Sequence, residues 1–344
     1  MSSLPFITLF SSTLILGSFL ALSGNHWIFI WIGLELNLIS FIPLLTSSQS
    51  NQETEAAIKY FIAQALGRGL LLIRSLSIIS NSYFFLSLNS SYFFLLVSLL
   101  IKLGLPPCHF WFPSVISTIS WPICLILATW QKLVPILLLF YIFNADIAFF
   151  SISIILIRSL IGGIGGLNQT QLRSLLAYSS IGHISWILGA SLISFSGGLM
   201  YFLIYILITA PIIIIFWFNS NSLLRSITSN ISKSNILLLL LVPLIISLGG
   251  IPPFTGFFPK WIVIEILSPL SSSIILILLI GSIINLFYYL NLGFIRVLKS
   301  KTPSLVKNKI SSFPLFISII RVLSLGLRPF FLLIIYALTI LYKS

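Results

Sequence analysis

The chain has 344 residues, of which 58% are apolar and only 7% charged, with 29 phenylalanines, and its mean hydropathy is +1.16. A globular domain carries about 25% charged residues, so a water-facing surface is excluded and the bilayer is this protein's solvent. The 18 basic residues outnumber 5 acidic ones, but they are scattered between apolar runs. Orienting charge in a membrane explains that distribution, and a nucleic-acid groove does not. Cys108 and Cys124 both sit in apolar stretches, which excludes a disulfide framework or a thiolate metal cluster and makes small buried hydrophobes the better reading.

About 20 mainly apolar residues cross a bilayer, and that length predicts spans over 3–22, 25–46, 56–79, 91–118, 121–143, 147–163, 170–192, 197–218, 236–267, 271–296 and 323–342. Uninterrupted runs of this kind lack the alternation of barrel strands. The expected fold is therefore an all-α polytopic membrane protein of about eleven transmembrane helices, a single membrane domain over 1–344. The last span is broken early by Gly326 and Pro329, and no cleavable leader is expected, since Met1–Leu22 has no basic start. Gly162, Gly163, Gly165 and Gly166 suggest a tight end to the sixth helix. Arg173, Arg225, Lys233, Arg296, Lys299, Lys301, Lys307 and Lys309 carry or flank the even-numbered connections, and the odd ones hold no basic residue. By the positive-inside rule the N-terminus lies on the positive side and the C-terminus opposite.

Two stretches share the pattern P-P-x-x-x-x-F-P: Pro106 to Pro113 and Pro252 to Pro259. When Pro106 is laid on Pro252, Gly104 falls on Gly250 and Leu105 on Ile251. The two segments are the fourth and ninth spans, five apart, so they cross in opposite directions. An inverted repeat with two discontinuous helices is expected, the first repeat over 1–143 and the second over 147–296, with 323–342 as a terminal helix. Prolines remove backbone donors and expose carbonyls at depth, as transporters require.

Glu35, Lys102, Lys132 and Lys260 lie within these spans. Insertion scales put each at roughly 2.5 to 3.5 kcal/mol, so each needs a partner, water or a function. Glu35 and Lys102 stand about ten residues into their spans, roughly 15 Å deep, and are expected to meet. A buried lysine whose contact with a carboxylate forms and breaks is a proton switch. His109 and His183 titrate near neutrality and suit a relay between lysines, with His183 between Lys132 and Lys260 on a hydrated path. No C-x-x-C, no paired histidines and no glycine-rich strand-to-helix turn points to redox chemistry.

The stretches GLELN around Glu35, TEAAIKYF at 54–61, KLGLPPCHFWFP from Lys102, TWQKLVP around Lys132, GGLNQT at 165–170, LAYSSIGHISW around His183 and GGIPPFTGFFPKW around Lys260 together resemble the chain 2 family of NADH:ubiquinone oxidoreductase, respiratory complex I, in its animal mitochondrial form. The resemblance runs nearly end to end, and the family is similar to cation/proton antiporters. It implies an antiporter-like membrane subunit that takes part in proton translocation coupled to NADH oxidation and quinone reduction elsewhere in the complex. Glu35 and Lys102 would be a modulating pair, Lys132 a connecting lysine, and Lys260 a link toward a neighbouring antiporter-like subunit. No cofactor in this chain is implied. The implied partners are other membrane-arm subunits and membrane lipids, and the location is the mitochondrial inner membrane, with the N-terminus on the matrix side and the C-terminus on the intermembrane-space side. A stand-alone cation/proton antiporter and a purely structural bridging subunit are the competing readings. Arg68, Arg74 and Arg158 fall inside spans without an obvious acidic partner, and only two methionines occur. Decoding AGA and AGG as arginine where a mitochondrion reads serine or glycine would give that pattern.

Overall fold

The structure, a computed structural model, describes residues 3–47, 50–79, 88–142, 148–225, 241–252, 254–269 and 272–299. The expected terminal helix over 323–342, with Arg321 and Arg328, lies outside them. The described residues are all-helical, without strands, and six helical stretches among them, one being the interrupted run Trp121–Ile142, are long and apolar enough to cross a membrane. The chain divides into two compact units, Met1–Leu188 and Gly189–Ser344.

The first unit opens with α1 (Ser3–Ser23) and α2 (Trp27–Leu45), packed along their lengths. Their backbones approach so closely that a Cβ on Gly33 would overlap the Ala21 amide nitrogen. Small residues permit this approach where lipid gives helices little hydrophobic reason to associate. The third helix, α3 (Asn51–Ile79), begins ahead of the apolar run from 56. Its first turn is polar, and the Ser50 hydroxyl accepts from the Glu53 amide at 3.3 Å, a cap that a hydropathy ruler does not see.

Residues 91–118 do not form one helix. The fourth helix, α4 (Leu88–Leu103), ends where Gly104 adopts φ +64°, and α5 (Trp111–Thr118) begins after a non-helical stretch. The Gly104 amide donates to Ile101 O and the Leu105 amide to Leu100 O, the paired bonds of a Schellman ending. Cys108, in the non-helical stretch, is exposed, against the expectation of a buried hydrophobe, which Cys124 meets. A second interruption, absent from the expectation, divides 121–143 at Thr129 into α6 (Trp121–Ala128) and α7 (Trp130–Ile142). The Thr129 hydroxyl donates to Leu125 O at 2.7 Å there. The unit continues through α8 (Ala148–Leu167) into α9 (Leu172–Ser191), whose last turn passes into the second unit. The glycine run lies in the last turns of α8, where it allows lateral contact: a Cβ on Gly162 would stand 2.7 Å from the Gly182 nitrogen of α9.

In the second unit, α10 (Phe195–Arg225) is followed, beyond residues outside the description, by a helical stretch over 241–249 (α11), then α12 (Phe257–Leu267) and α13 (Ser272–Lys299). Gly250 closes α11 with φ +79° and its amide donates to Ser247 O. Gly104 and Gly250, aligned by sequence, thus hold the same left-handed conformation at the same point of the two motifs.

For an L-residue that conformation costs about 1–2 kcal/mol, and a Cβ on Gly104 would also meet Phe112 Cβ at 2.5 Å. Gly104→Ala is therefore expected to lower the amount of folded protein and its thermal stability. Gly69→Ala, at a helical position with open space around it, should be neutral in the same native-gel and thermal-shift measurements.

Candidate functional site

Helix ends leave carbonyls without intrahelical donors, and in this unit side chains bond to several of them, alone at Lys102 O and Ser117 O and beside the Gly104 amide at Ile101 O. The Trp111 indole donates to Ile101 O at 3.0 Å, Gln64 Nε2 to Lys102 O at 3.2 Å, and Arg173 Nη1 to Ser117 O at 3.3 Å. The ends of α4 and α5 are thereby fixed by residues from α3, α5 and α9.

Beside the end of α4 lies a small cavity. Asn37, Tyr60, Gln64, Arg68, Lys102, Trp111, Gln131 and Lys132 supply its polar lining. It offers about 20 Å³ to the centres of water-sized spheres, room for one or two waters. Lys102, in the last turn of α4, and Lys132, near the start of α7 and only 2% exposed, both face it. The Lys132 ammonium also lies over the Phe112 ring, 4.4 Å from its centroid, a cation–π contact. Gln131 Nε2 donates to Asn37 Oδ1 at 2.8 Å and ties α7 to α2. Pro135 has no amide hydrogen, so the Gln131 carbonyl lacks its usual intrahelical donor. The cavity wall is accordingly polar on several sides and suited to hydration.

Glu35, expected to reach Lys102 directly or through one water, makes no direct ion pair with it. Its carboxylate pairs with Arg68 of α3, which corrects the reading of Arg68 as a residue without an acidic partner. A guanidinium on the neighbouring helix outcompetes the ammonium for Oε1, and Glu35 and Arg68 both remain within electrostatic reach of Lys102. The Lys102 nitrogen has no hydrogen-bond partner among the described residues. Arg158 is 1% exposed, with Nε and Nη1 unpartnered among the described residues; Arg74 is buried in α3.

The histidines lie elsewhere. His109 is buried between the two helical halves, its Nδ1 3.3 Å from Pro107 O and its ring against Phe110 and Tyr178. His183 is buried in α9. Neither lines the lysine cavity.

Lys260, in the second unit, is buried in the first turn of α12. Its ammonium donates to Gly249 O at 2.7 Å, the last carbonyl of α11, where the helix dipole presents partial negative charge. A Cβ at residue 250 would stand 2.8 Å from Nζ, so the end of the lysine would have to shift to make room for it. Among the described residues no group of His, Cys, Asp and Glu is arranged to hold a metal ion.

Sequence reasoning missed Tyr60, Gln64, Asn37 and Gln131, although three of them stand inside the motifs quoted above. The signal was their proximity to the lysines and to Glu35, and Gln64 gave none.

Residues 24–287 match the family model described as NADH:quinone oxidoreductase/Mrp antiporter, transmembrane. An NADH-ubiquinone oxidoreductase chain 2 from Lumbricus terrestris is 42% identical over 96% of this chain and 98% of its own length. The protein of that name from Anopheles gambiae is 40% identical over 83% and 84%. Among solved structures, a chain of respiratory complex I from Thermus thermophilus superposes with a TM-score of 0.78 at 23% identity, covering 94% of this chain and 77% of the other. A chain of the Mrp complex from Dietzia superposes at 0.70 with 17% identity, over 87% and 60%.

Trypsin cleaves after arginine and not after serine or glycine, so peptide mapping of the protein from its own mitochondria tests the decoding. No cleavage is expected after residue 158, where a guanidinium would be buried with two unpartnered nitrogens. Absence of cleavage after 68 as well would return the Glu35 carboxylate to Lys102.

Proposed function

The chain belongs to the NADH:quinone oxidoreductase/Mrp antiporter family, and from that premise we propose that Lys102, Lys132 and Lys260 are the groups that take up and release protons in it. It is an antiporter-like membrane subunit of respiratory complex I, an inner-membrane, multi-pass component of an oxidoreductase assembly. The observation that carries the proposal is the convergence of Lys102 and Lys132, from two different helices, on one polar cavity with room for water. A lysine passes protons only when water or another titratable group lies within hydrogen-bond reach, and this cavity supplies that condition.

In the first unit, Glu35 acts on Lys102 by charge, its strength set by how firmly Arg68 holds the carboxylate. In the second, Lys260 handles protons at the end of α11. Both interruptions, at 104–110 and 250–256, belong in this reading to discontinuous membrane helices of an inverted repeat, within a fold of about eleven helices. The N-terminus lies on the matrix side. Exposed apolar side chains such as Phe29, Leu66, Ile283 and Phe287 meet lipids or neighbouring antiporter-like subunits. The electron-transfer chemistry belongs to other chains. The histidines have a secondary part: His109 and His183 are buried titratable groups beside the helical interruption and in α9.

Complex I carrying Lys132→Met should assemble normally and lose proton pumping by about tenfold or more, with quinone reduction slowed in parallel. Lys260→Arg should also impair turnover, because a guanidinium keeps its proton at working pH. Normal pumping by a fully assembled Lys132→Met complex would instead favour a structural bridging role. Cation/proton exchange by the chain alone in liposomes would favour a stand-alone antiporter.

A further inference from the structure

The second unit contains buried polar groups that the reading above does not use. Helix α13 carries Asn285, Tyr288 and Tyr289, and α10 carries Tyr201 and Tyr205 one turn apart; all five are buried. Asn285 and Tyr289 are four residues apart and therefore share a face of α13. That face meets the end of α11. A Cβ on Gly249 would stand 3.6 Å from Leu286 Cγ and 3.7 Å from Tyr289 Cδ2, and the carbonyl of this same Gly249 holds the Lys260 ammonium. The Tyr288 and Tyr289 rings lie with centroids 4.6 Å apart.

Asn285 is the telling residue. It is 5% exposed, and its Oδ1 has no hydrogen-bond partner among the described residues. A carboxamide oxygen buried in an apolar interior without a donor is strongly disfavoured, so the position calls for a donor. Water is a donor small enough to reach such a buried site.

We infer that Asn285, with Tyr288 and Tyr289, holds a water beside Lys260 that receives the proton Lys260 releases. In that step the Lys260 N–H bond breaks, its electron pair stays on nitrogen, and the proton forms a third O–H bond on the water. The hydronium donates to Asn285 Oδ1 and passes its extra proton to the next water. Asn285 is thus a positioning residue acting through the water. This inference rests on the proposed role of Lys260 in proton transfer.

The test uses intact complex I with Asn285→Leu, Asn285→Ser and Lys260→Met in parallel. Leucine is close in size to asparagine and cannot hold the water, whereas serine keeps a polar oxygen and leaves room for it. Asn285→Leu should assemble normally and lower proton pumping by about tenfold, the worth of one hydrogen bond in the transition state. Asn285→Ser should recover most of that loss, which a merely structural defect would not. Cryo-electron microscopy of the unmodified complex should show water on Asn285 Oδ1, and the leucine variant should lack it. A dry Asn285 in a map that resolves other buried waters would overturn the inference, as would full pumping by Asn285→Leu in a preparation where Lys260→Met is inactive. Full pumping by Lys260→Met would instead overturn the reading of Lys260 itself.

Discussion

In hydrocarbon, a backbone carbonyl without a donor has no water to turn to, and the functional part of this protein is organised by how that requirement is met wherever a helix stops. Lys102 O is taken by Gln64, Ser117 O by Arg173 and Gly249 O by Lys260, while Ile101 O and Leu125 O accept the Trp111 indole and the Thr129 hydroxyl beside the backbone amides of Gly104 and Thr129. Each of these bonds locates a side chain near an interruption. The lysine cavity and the Lys260 site are both consequences of helix ends that had to be satisfied from elsewhere in the fold.

The two units meet the requirement differently. In the first, Lys102 precedes the interruption, in the last turn of α4, while neutral side chains cap the exposed carbonyls of its own helix. In the second, Lys260 follows the interruption and is itself the cap. Shared backbone geometry at Gly104 and Gly250 therefore supports two kinds of lysine environment. One faces a cavity lined by several polar side chains, and the other is bonded to a helix terminus.

Much of this was legible in the sequence. Long apolar runs gave the helical membrane class, the two proline pairs marked the segments where α4 and α11 stop, and the paired Gly104 and Gly250 were visible by alignment alone. Charge in an apolar run pointed to Lys102, Lys132 and Lys260, since depth along a helix follows directly from residue count. Partner choice was not legible. Glu35 goes to Arg68 rather than Lys102 because that depends on how α2, α3 and α4 are rotated against one another, and residue count carries no rotation. The division at Thr129 was hidden for a related reason: a threonine in an apolar run looks unexceptional until its hydroxyl joins its own amide on the Leu125 carbonyl. Gln64 lay in a helix whose polar residues look merely solvated.

The bond from Lys260 to Gly249 O has a consequence for how fast such a site can cycle. An ammonium that has given up its proton is still an amine with two N–H bonds, so the carbonyl need not be abandoned when the charge leaves. No rotamer has to change and no cavity has to open or fill around a 2.7 Å contact that survives both states. Packed interiors resist rearrangement, and a group that changes charge without changing place avoids that resistance. In the role proposed for Lys260, such a site would work as a fixed relay contact rather than a swinging arm, its timing set by the arrival of water and field and not by the mechanics of the side chain.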